Sequence, residues 1–377
     1  MLQKLTYLIF LSLTSFLISA QTVVGIIEHD GITRDYILHL PTGYDASQSY
    51  PFVYNLHGFT SNAEQQQFYS GMDITSDANG FIVCYPNGVD NSWNVGWTFG
   101  SNADDVDFLL TLVDALAEDY NINYNRLYSC GMSNGGFMSY KLACEVSDKF
   151  AAIASVTGSI VPSELEACDP IRKIPVMQIH GTADPTVAYN GSSIGAPIED
   201  VVNFWAENNV CNLMPETIQI EDINSSDQCT AERIQYTDCD KDTEVVFYKI
   251  EGGEHTWPGA AITIGVTNQD FNASQEIWNF FDLFDLNGAI ISSNEDVVQP
   301  SKIQLFPNPM SSYFTMSNLP IDTKKVTIID AFGKTIFSQK NIHGTSENIS
   351  VEHFATGLYF VITEGEKTRE LVKFVKQ

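Results

Sequence analysis

Residues 126–146, RLYSCGMSNGGFMSYKLACEV, pass from an apolar, strand-like run through Gly131, Gly135 and Gly136 into a helix-like run. A strand that turns into a helix within so few residues needs glycines where a Cβ would clash. Such a unit packs only in a sheet with helices laid on its faces. The rest of residues 21–290 repeats this alternation. YPFVYNLHG (50–58) and GFIVCYPNG (80–88) read as buried strands ending in Gly turns, and IPVMQIHGTADPTV (174–187) and TEVVFYKIEGGEHTWPG (243–259) as strands running into loops. ADDVDFLLTLVDALAEDY (103–120) has helical periodicity with Asp residues in its first turn, where the helix dipole favours them. ASQEIWNFFDLFDLNG (273–288) reads as an amphipathic helix closed by Gly288. The expected fold is α/β: a mostly parallel sheet flanked by helices.

A second unit follows. The polar stretch 291–301 lacks periodicity and reads as a linker. Beyond it, residues 302–377 hold short alternating runs separated by turn residues about every ten positions, the pattern of a small all-β sandwich. Charge divides at the same place. The chain carries 19 basic and 47 acidic side chains; 9 and 7 of these fall after residue 296, so the first 296 residues hold 10 and 40. A net charge of −28 excludes nucleic acid and anionic membrane as partners, since both require Lys/Arg-rich surfaces.

At the start of the chain, Lys4 precedes an apolar run from Leu5 to Ile18 and the small pair Ser19–Ala20. Residues 1–20 therefore read as a secretory signal peptide, too short for a spanning helix, and the mature chain is expected to be exported with no membrane span. Export makes the seven cysteines disulfide candidates. Cys84 and Cys130 sit in apolar strands and are expected to be buried free thiols. Cys144 and Cys168 are expected to pair. Of Cys211, Cys229 and Cys239, in a polar, strand-poor insert, two should bond. The spacing of Cys and His supports no structural zinc site.

Gly131-Met132-Ser133-Asn134-Gly135 fits G-x-S-x-G between a strand and a helix, the turn on which a nucleophilic serine is exposed. An α/β-hydrolase fold then requires an acid and a histidine downstream, in that order. Of seven histidines, His29, His39 and His57 precede the serine, and His343 and His353 belong to the tail. His180 closes a strand with no acid-bearing strand between it and Ser133, which leaves His255, in a Gly-rich loop, as general base. Asp184, four residues past His180, is the expected acid, ahead of Asp200, Asp222 and Glu254. The backbone N–H groups of Phe59 and Asn134 are the expected oxyanion donors, with Thr60 as the rival of Phe59. His57 reads as a hydrogen-bonded positioner and His180 as a residue that orders its loop. Trp93, Trp97 and Trp257, in loops beside this site, are candidates for stacking on a sugar or a phenolic acyl group, or for packing loop onto scaffold.

Several motifs carry a closer resemblance: Leu56-His57-Gly58, Tyr85-Pro86-Asn87-Gly88, Trp93/Trp97, residues 104–108 (DDVDF), residues 131–136, Leu142-Ala143-Cys144, residues 180–184 (HGTAD) and residues 255–259 (HTWPG). In colinear order they resemble secreted esterases of the polyhydroxybutyrate depolymerase and feruloyl esterase group, within carbohydrate esterase family 1. The resemblance implies ester hydrolysis through an acyl-enzyme without metal or organic cofactor, and it carries nucleophile, acid and base onto Ser133, Asp184 and His255. The tail, with Phe306-Pro307-Asn308-Pro309, residues 357–361 (GLYFV) and Lys373-Phe374-Val375-Lys376, resembles the C-terminal sorting domain of the bacterial type IX secretion system. It implies that secretion machinery as a partner and an extracellular or cell-surface location. The acidic surface fits neutral esters: feruloyl or acetyl xylan, or hydroxyalkanoate polyesters. A peptidase of the same fold and a noncatalytic carbohydrate-binding protein are the competing readings.

Overall fold

A computed structural model of the chain describes residues 20–290 and most of residues 303–376. The expected signal peptide and linker lie outside the described residues, apart from Ala20. The chain divides into two compact units between Ile290 and Ile291.

In the first unit, β1 (Gln21–His29), β2 (Ile32–Leu40), β3 (Tyr50–Leu56), β4 (Ile82–Pro86), β5 (Ile122–Met132), β6 (Ala152–Val156), β7 (Val176–Gly181), β8 (Glu216–Gln219), β9 (Thr230–Tyr236) and β10 (Val245–Glu251) form one sheet. Its spatial order is β1-β2-β4-β3-β5-β6-β7-β10-β9-β8. The six central strands run parallel, and antiparallel pairs extend the sheet at both edges. The helices are α1 (Ala63–Ser70), α2 (Met72–Asn79), α3 (Asp105–Ala117), α4 (Asn134–Glu145), α5 (Pro162–Ala167), α6 (Ile198–Asn208) and α7 (Ala273–Phe281). Period-two alternation sends Phe52, Tyr54 and Leu56 of β3 into the core beneath α3, α4 and α6, and Val53 into the opposite core, shared with Met72 of α2 and Ile277 of α7. Both faces of the central strands are covered, which is why those strands are nearly all apolar.

The expected mostly parallel, helix-flanked sheet is present; two local expectations are revised and one hairpin was not anticipated. From Gln21 the chain forms the hairpin β1–β2, which its mixed polar sequence conceals. The insert around residues 211–239 is not strand-poor. It supplies β8 and β9, and β8 is exposed along its whole length, so it lacks the alternation that marks a half-buried strand. The last helix ends at Phe281 rather than running to Gly288. Phe284 is buried and its carbonyl accepts from the Tyr128 hydroxyl, which draws residues 284–289 into a small hairpin, β11 (Phe284–Asp285) and β12 (Gly288–Ala289). Gly288, at φ +120°, serves that hairpin. Cys144–Cys168 and Cys211–Cys239 are disulfides, while Cys84, Cys130 and Cys229 are buried thiols.

Among its described residues the second unit has seven strands: β13 (Gln304–Phe306), β14 (Tyr313–Ser317), β15 (Lys325–Asp330), β16 (Thr335–Lys340), β17 (Ser346–Ser350), β18 (Gly357–Glu364) and β19 (Arg369–Lys376). They form two antiparallel sheets, β13-β14-β17 and β16-β15-β18-β19. Phe314 and Met316 of one sheet share a core with Val326, Ile328, Val361 and Phe374 of the other. No helix among the described residues is long and apolar enough to cross a membrane.

Candidate active site

The site forms where β3, β5, β7 and β10 end. Ser133 sits between β5 and α4 at φ 55°, ψ −121°, a region L-residues avoid at a cost of about 1–3 kcal/mol. Its N–H donates to the Val156 carbonyl and its carbonyl accepts from Phe137 N–H, so neighbouring backbone holds the bend in place. The glycines give it room. A Cβ at Gly135 would overlap the Leu56 carbonyl, and one at Gly131 would press on the backbone of Gly135. Gly135→Ala is therefore expected to cost about 3 kcal/mol of stability, because backbone rather than a movable side chain must yield; urea denaturation of the variant checks this.

Asp184 follows β7 and its side chain is fully buried. Its Oδ1 accepts the N–H groups of Thr186 and Val187, and its Oδ2 lies 2.7 Å from Nδ1 of His255. With the carboxylate satisfied on one side by backbone, its other oxygen fixes a proton on His255 Nδ1, leaving Nε2 with a free lone pair. Ser133 and His255 line one cavity of about 380 Å³ with Gly58, Phe59, Phe68, Tyr69, Met132, Ile262 and Ile264. No side chain lining that cavity carries a carboxylate, ammonium or guanidinium group. Glu254, a rival acid from the sequence, instead accepts Val266 N–H at 3.1 Å and ties down the following loop.

Two backbone N–H groups, of Phe59 and of Asn134 at the start of α4, make no hydrogen bond among the described residues. Thr60, the rival of Phe59, has its N–H committed to the Asn91 carbonyl at 2.8 Å. The loop bearing Phe59 is braced by His57. Its Nε2 accepts from Gly88 N–H (2.9 Å), its Nδ1 lies 2.8 Å from the Gly58 carbonyl, and its own carbonyl accepts from the Trp93 indole. The Asn134 side chain accepts Trp93 N–H (2.7 Å) and donates to the Trp93 carbonyl (3.2 Å), so this loop and the elbow are tied through one residue. Behind Trp93, the buried pair Arg34–Asp105 (2.8 Å) fixes the same loop, Asp105 accepting from Asn94 N–H.

Of the two alternatives for the tryptophans, stacking on substrate or packing loop onto scaffold, Trp93 and Trp257 take the second. Trp93 is 1% exposed and bound to His57 and Asn134, and Trp257 is fully buried with its indole donating to Ser274, so neither presents a face to a substrate. Both are spent on packing, since an indole buries more area than a loop can otherwise supply. Trp97 is only half-buried; its N–H donates to the Ile194 carbonyl, and its ring stacks on Phe99 at 5.0 Å and meets Phe59 edge-on at 6.0 Å. Phe59 and Phe99 are exposed. Phe99, Phe68, Ile262 and Ile264 belong to no motif. For Phe68 the signal was a large apolar residue in the glutamine-rich AEQQQFYS helix.

His57 and His180 are both fully buried and held neutral, burial depressing each pKa to about 4. His180 orders its loop through the Val187 carbonyl, 2.9 Å from its Nε2. The unfolded chain binds protons on both rings below about pH 6.5 while the folded one does not. Stability is thus complete above pH 6.5 and falls as pH drops toward 4, by roughly 3 kcal/mol for each ring. Urea midpoints at pH 7 and pH 4.5 read this out.

A strained serine at the carboxyl edge of a mostly parallel sheet, with a carboxylate-bound imidazole opening on the same cavity, is the arrangement that serine hydrolases of the α/β-hydrolase class use. Residues 34–197 match the family model described as esterase PHB depolymerase, and residues 304–377 match the secretion system C-terminal sorting domain. A protein of Nocardia uniformis subsp. tsuyamanensis named as an esterase, NocK, is 29% identical over 275 residues, covering 66% of this chain and 79% of that protein. Feruloyl esterase C of Emericella nidulans is 26% identical, covering 66% of this chain and 83% of that enzyme. The bifunctional acetylxylan esterase/xylanase XynS20E of Neocallimastix patriciarum is 24% identical, covering 70% of this chain but only 35% of its own length. The chain is a carboxylic ester hydrolase like those of the polyhydroxybutyrate depolymerase and feruloyl esterase group. Its type IX sorting tail places it outside the cell or at the cell surface.

Proposed function

We propose that Ser133 is the nucleophile, His255 the general base and acid, and Asp184 the carboxylate that orients His255. The observation that carries this reading is the 2.7 Å contact between Asp184 and His255, on a cavity that Ser133 also lines. His255 Nε2 takes the hydroxyl proton as Ser133 Oγ attacks the ester carbonyl. The tetrahedral oxygen is met by the N–H groups of Phe59 and Asn134. His255 then protonates the departing alcohol, and water releases the acyl group by the same route. Two uncommitted N–H groups, one of them at a helix N-terminus, support this oxyanion assignment.

The uncharged cavity supports neutral esters: feruloyl or acetyl groups on xylan, or hydroxyalkanoate polyesters, oligomeric or polymeric. Phe59, Trp97 and Phe99 are the side chains offered to an aromatic acyl group. Residues 21–290 form the hydrolase domain and 302–377 the sorting domain recognised by the type IX machinery, residues 1–20 being a signal peptide and 291–301 a linker. Labelling with a fluorophosphonate probe, combined with hydrolysis of p-nitrophenyl esters, methyl ferulate, acetylated xylan, polyhydroxybutyrate and peptide anilides, tests the whole. Labelling at Ser133 with ester but not anilide turnover is expected. Failure to label Ser133 overturns the reading.

A further inference from the structure

The cavity at Ser133 does not end at its own walls. Gln65, Phe68 and Tyr69 of α1 line it and also line a second, larger cavity of about 1090 Å³. The second cavity runs from α1 over Ile74 and Ala78 of α2 to Gly259, Ala260 and Ala261, and reaches Gln275 of α7. At their junction Phe68 is 70% exposed, and farther along Ile74 is 76% exposed. Large apolar side chains so open to water, along a groove that continues from a reactive serine, mark a binding surface.

The direction of the groove follows from proton transfer. The leaving oxygen must lie against His255 to receive its proton, whereas the carbonyl oxygen lies against the N–H groups of Phe59 and Asn134. From His255 the chain leads through Trp257 to Gly259–Ala261, which is the wall of the second cavity. Trp257 N–H meets the Tyr69 hydroxyl at 3.2 Å, closing the floor between the two cavities. The acyl side therefore belongs to Phe59 and its aromatic neighbours, and the alcohol side to the groove.

We infer that this groove is an alcohol-side subsite, taking an extended, uncharged aliphatic chain attached to the leaving oxygen. The inference rests on the catalytic reading of Ser133 and His255. The lining has Glu64 and Asp73 as its charged residues and no cation, which disfavours an anionic chain. Phe68, Ile74, Ala78 and Ala261 make most of the groove's open surface hydrocarbon, with the polar side chains of Gln65, Gln67, Asn272 and Gln275 set along it.

The test uses two ester series on the full chain: a butyrate acyl group with methyl, butyl or octyl alcohol, and p-nitrophenyl esters with C2 to C8 acyl groups. With the acyl group constant, kcat/KM is expected to rise at least about tenfold from methyl to octyl, a gain equal to burying only two methylenes. Ile74→Lys is expected to bring the octyl-to-methyl ratio close to one. A ratio is insensitive to the fraction of folded variant, since both esters report on the same molecules. A flat alcohol series, a gain confined to the acyl series, an unchanged ratio in the variant, or a stronger preference for butyrylated xylose over the octyl ester each overturns the subsite. Failure of the catalytic reading looks different: Ser133→Ala would then hydrolyse methyl butyrate as the parent does.

Discussion

Ser133→Ala is expected to lower kcat for a short p-nitrophenyl ester by about 10⁴- to 10⁶-fold, with the thermal midpoint and KM close to the parent's. The size follows from what is removed. Without the hydroxyl there is no acyl-enzyme, and His255 is left beside an inert methyl group. The fold is spared because the turn does not depend on Oγ: Ser133 is held by its own N–H to Val156 and by its carbonyl to Phe137, both unchanged by the substitution. Steady-state kinetics and a melting curve on one preparation separate the two effects. A variant that unfolds, or that keeps most of its activity, contradicts the assignment.

Asp184→Asn is expected to lower kcat by about 10⁴-fold, again without unfolding the chain. An amide can keep its oxygen toward Thr186 and Val187 N–H, preserving the loop. That orientation turns the NH₂ toward His255 Nδ1, where two donors cannot face each other, so the imidazole moves its proton to Nε2 and offers Ser133 no lone pair. Assay at alkaline pH should recover little, because the defect is the position of a proton and not its affinity. If the amide variant retains activity within about tenfold of the parent, far short of a lost triad member, then Asp184 is not the orienting carboxylate, and the 2.7 Å contact serves packing alone.

How far the sequence was legible depends on the kind of feature. The strands from 50 to 58, 80 to 88, 126 to 132 and 174 to 181 were readable because buried parallel strands are continuous apolar runs bounded by glycines. The outer antiparallel strands β1, β2, β8 and β9 were not, because much of each is wet and the residues are mixed. Gly288 misled for a related reason. A glycine after an apolar periodic run ends a helix when nothing else competes, but Tyr128 and Asn125 bind the backbone of residues 284 and 286 and end it earlier. Phe59 and Asn134 were chosen as candidate donors by motif, whereas no spacing rule locates the Asn91 carbonyl that takes up the Thr60 N–H.

The sequence alone showed the buried parallel strands, a change of composition near residue 290, the elbow glycines and a short set of candidates for acyl transfer. The turn depends on local chemistry, since a strained bend requires glycine, and the choice of acid and base depends on the chain order that an α/β-hydrolase topology imposes. Only the tertiary structure decided that Asp184 rather than Glu254 touches His255, that Cys211 bonds Cys239 and leaves Cys229 buried as a thiol, and that Trp93 and Trp257 face inward while Phe59, Phe68 and Phe99 face out. Which side of an aromatic ring meets water is set by what packs behind it, and that comes from residues far away in the chain.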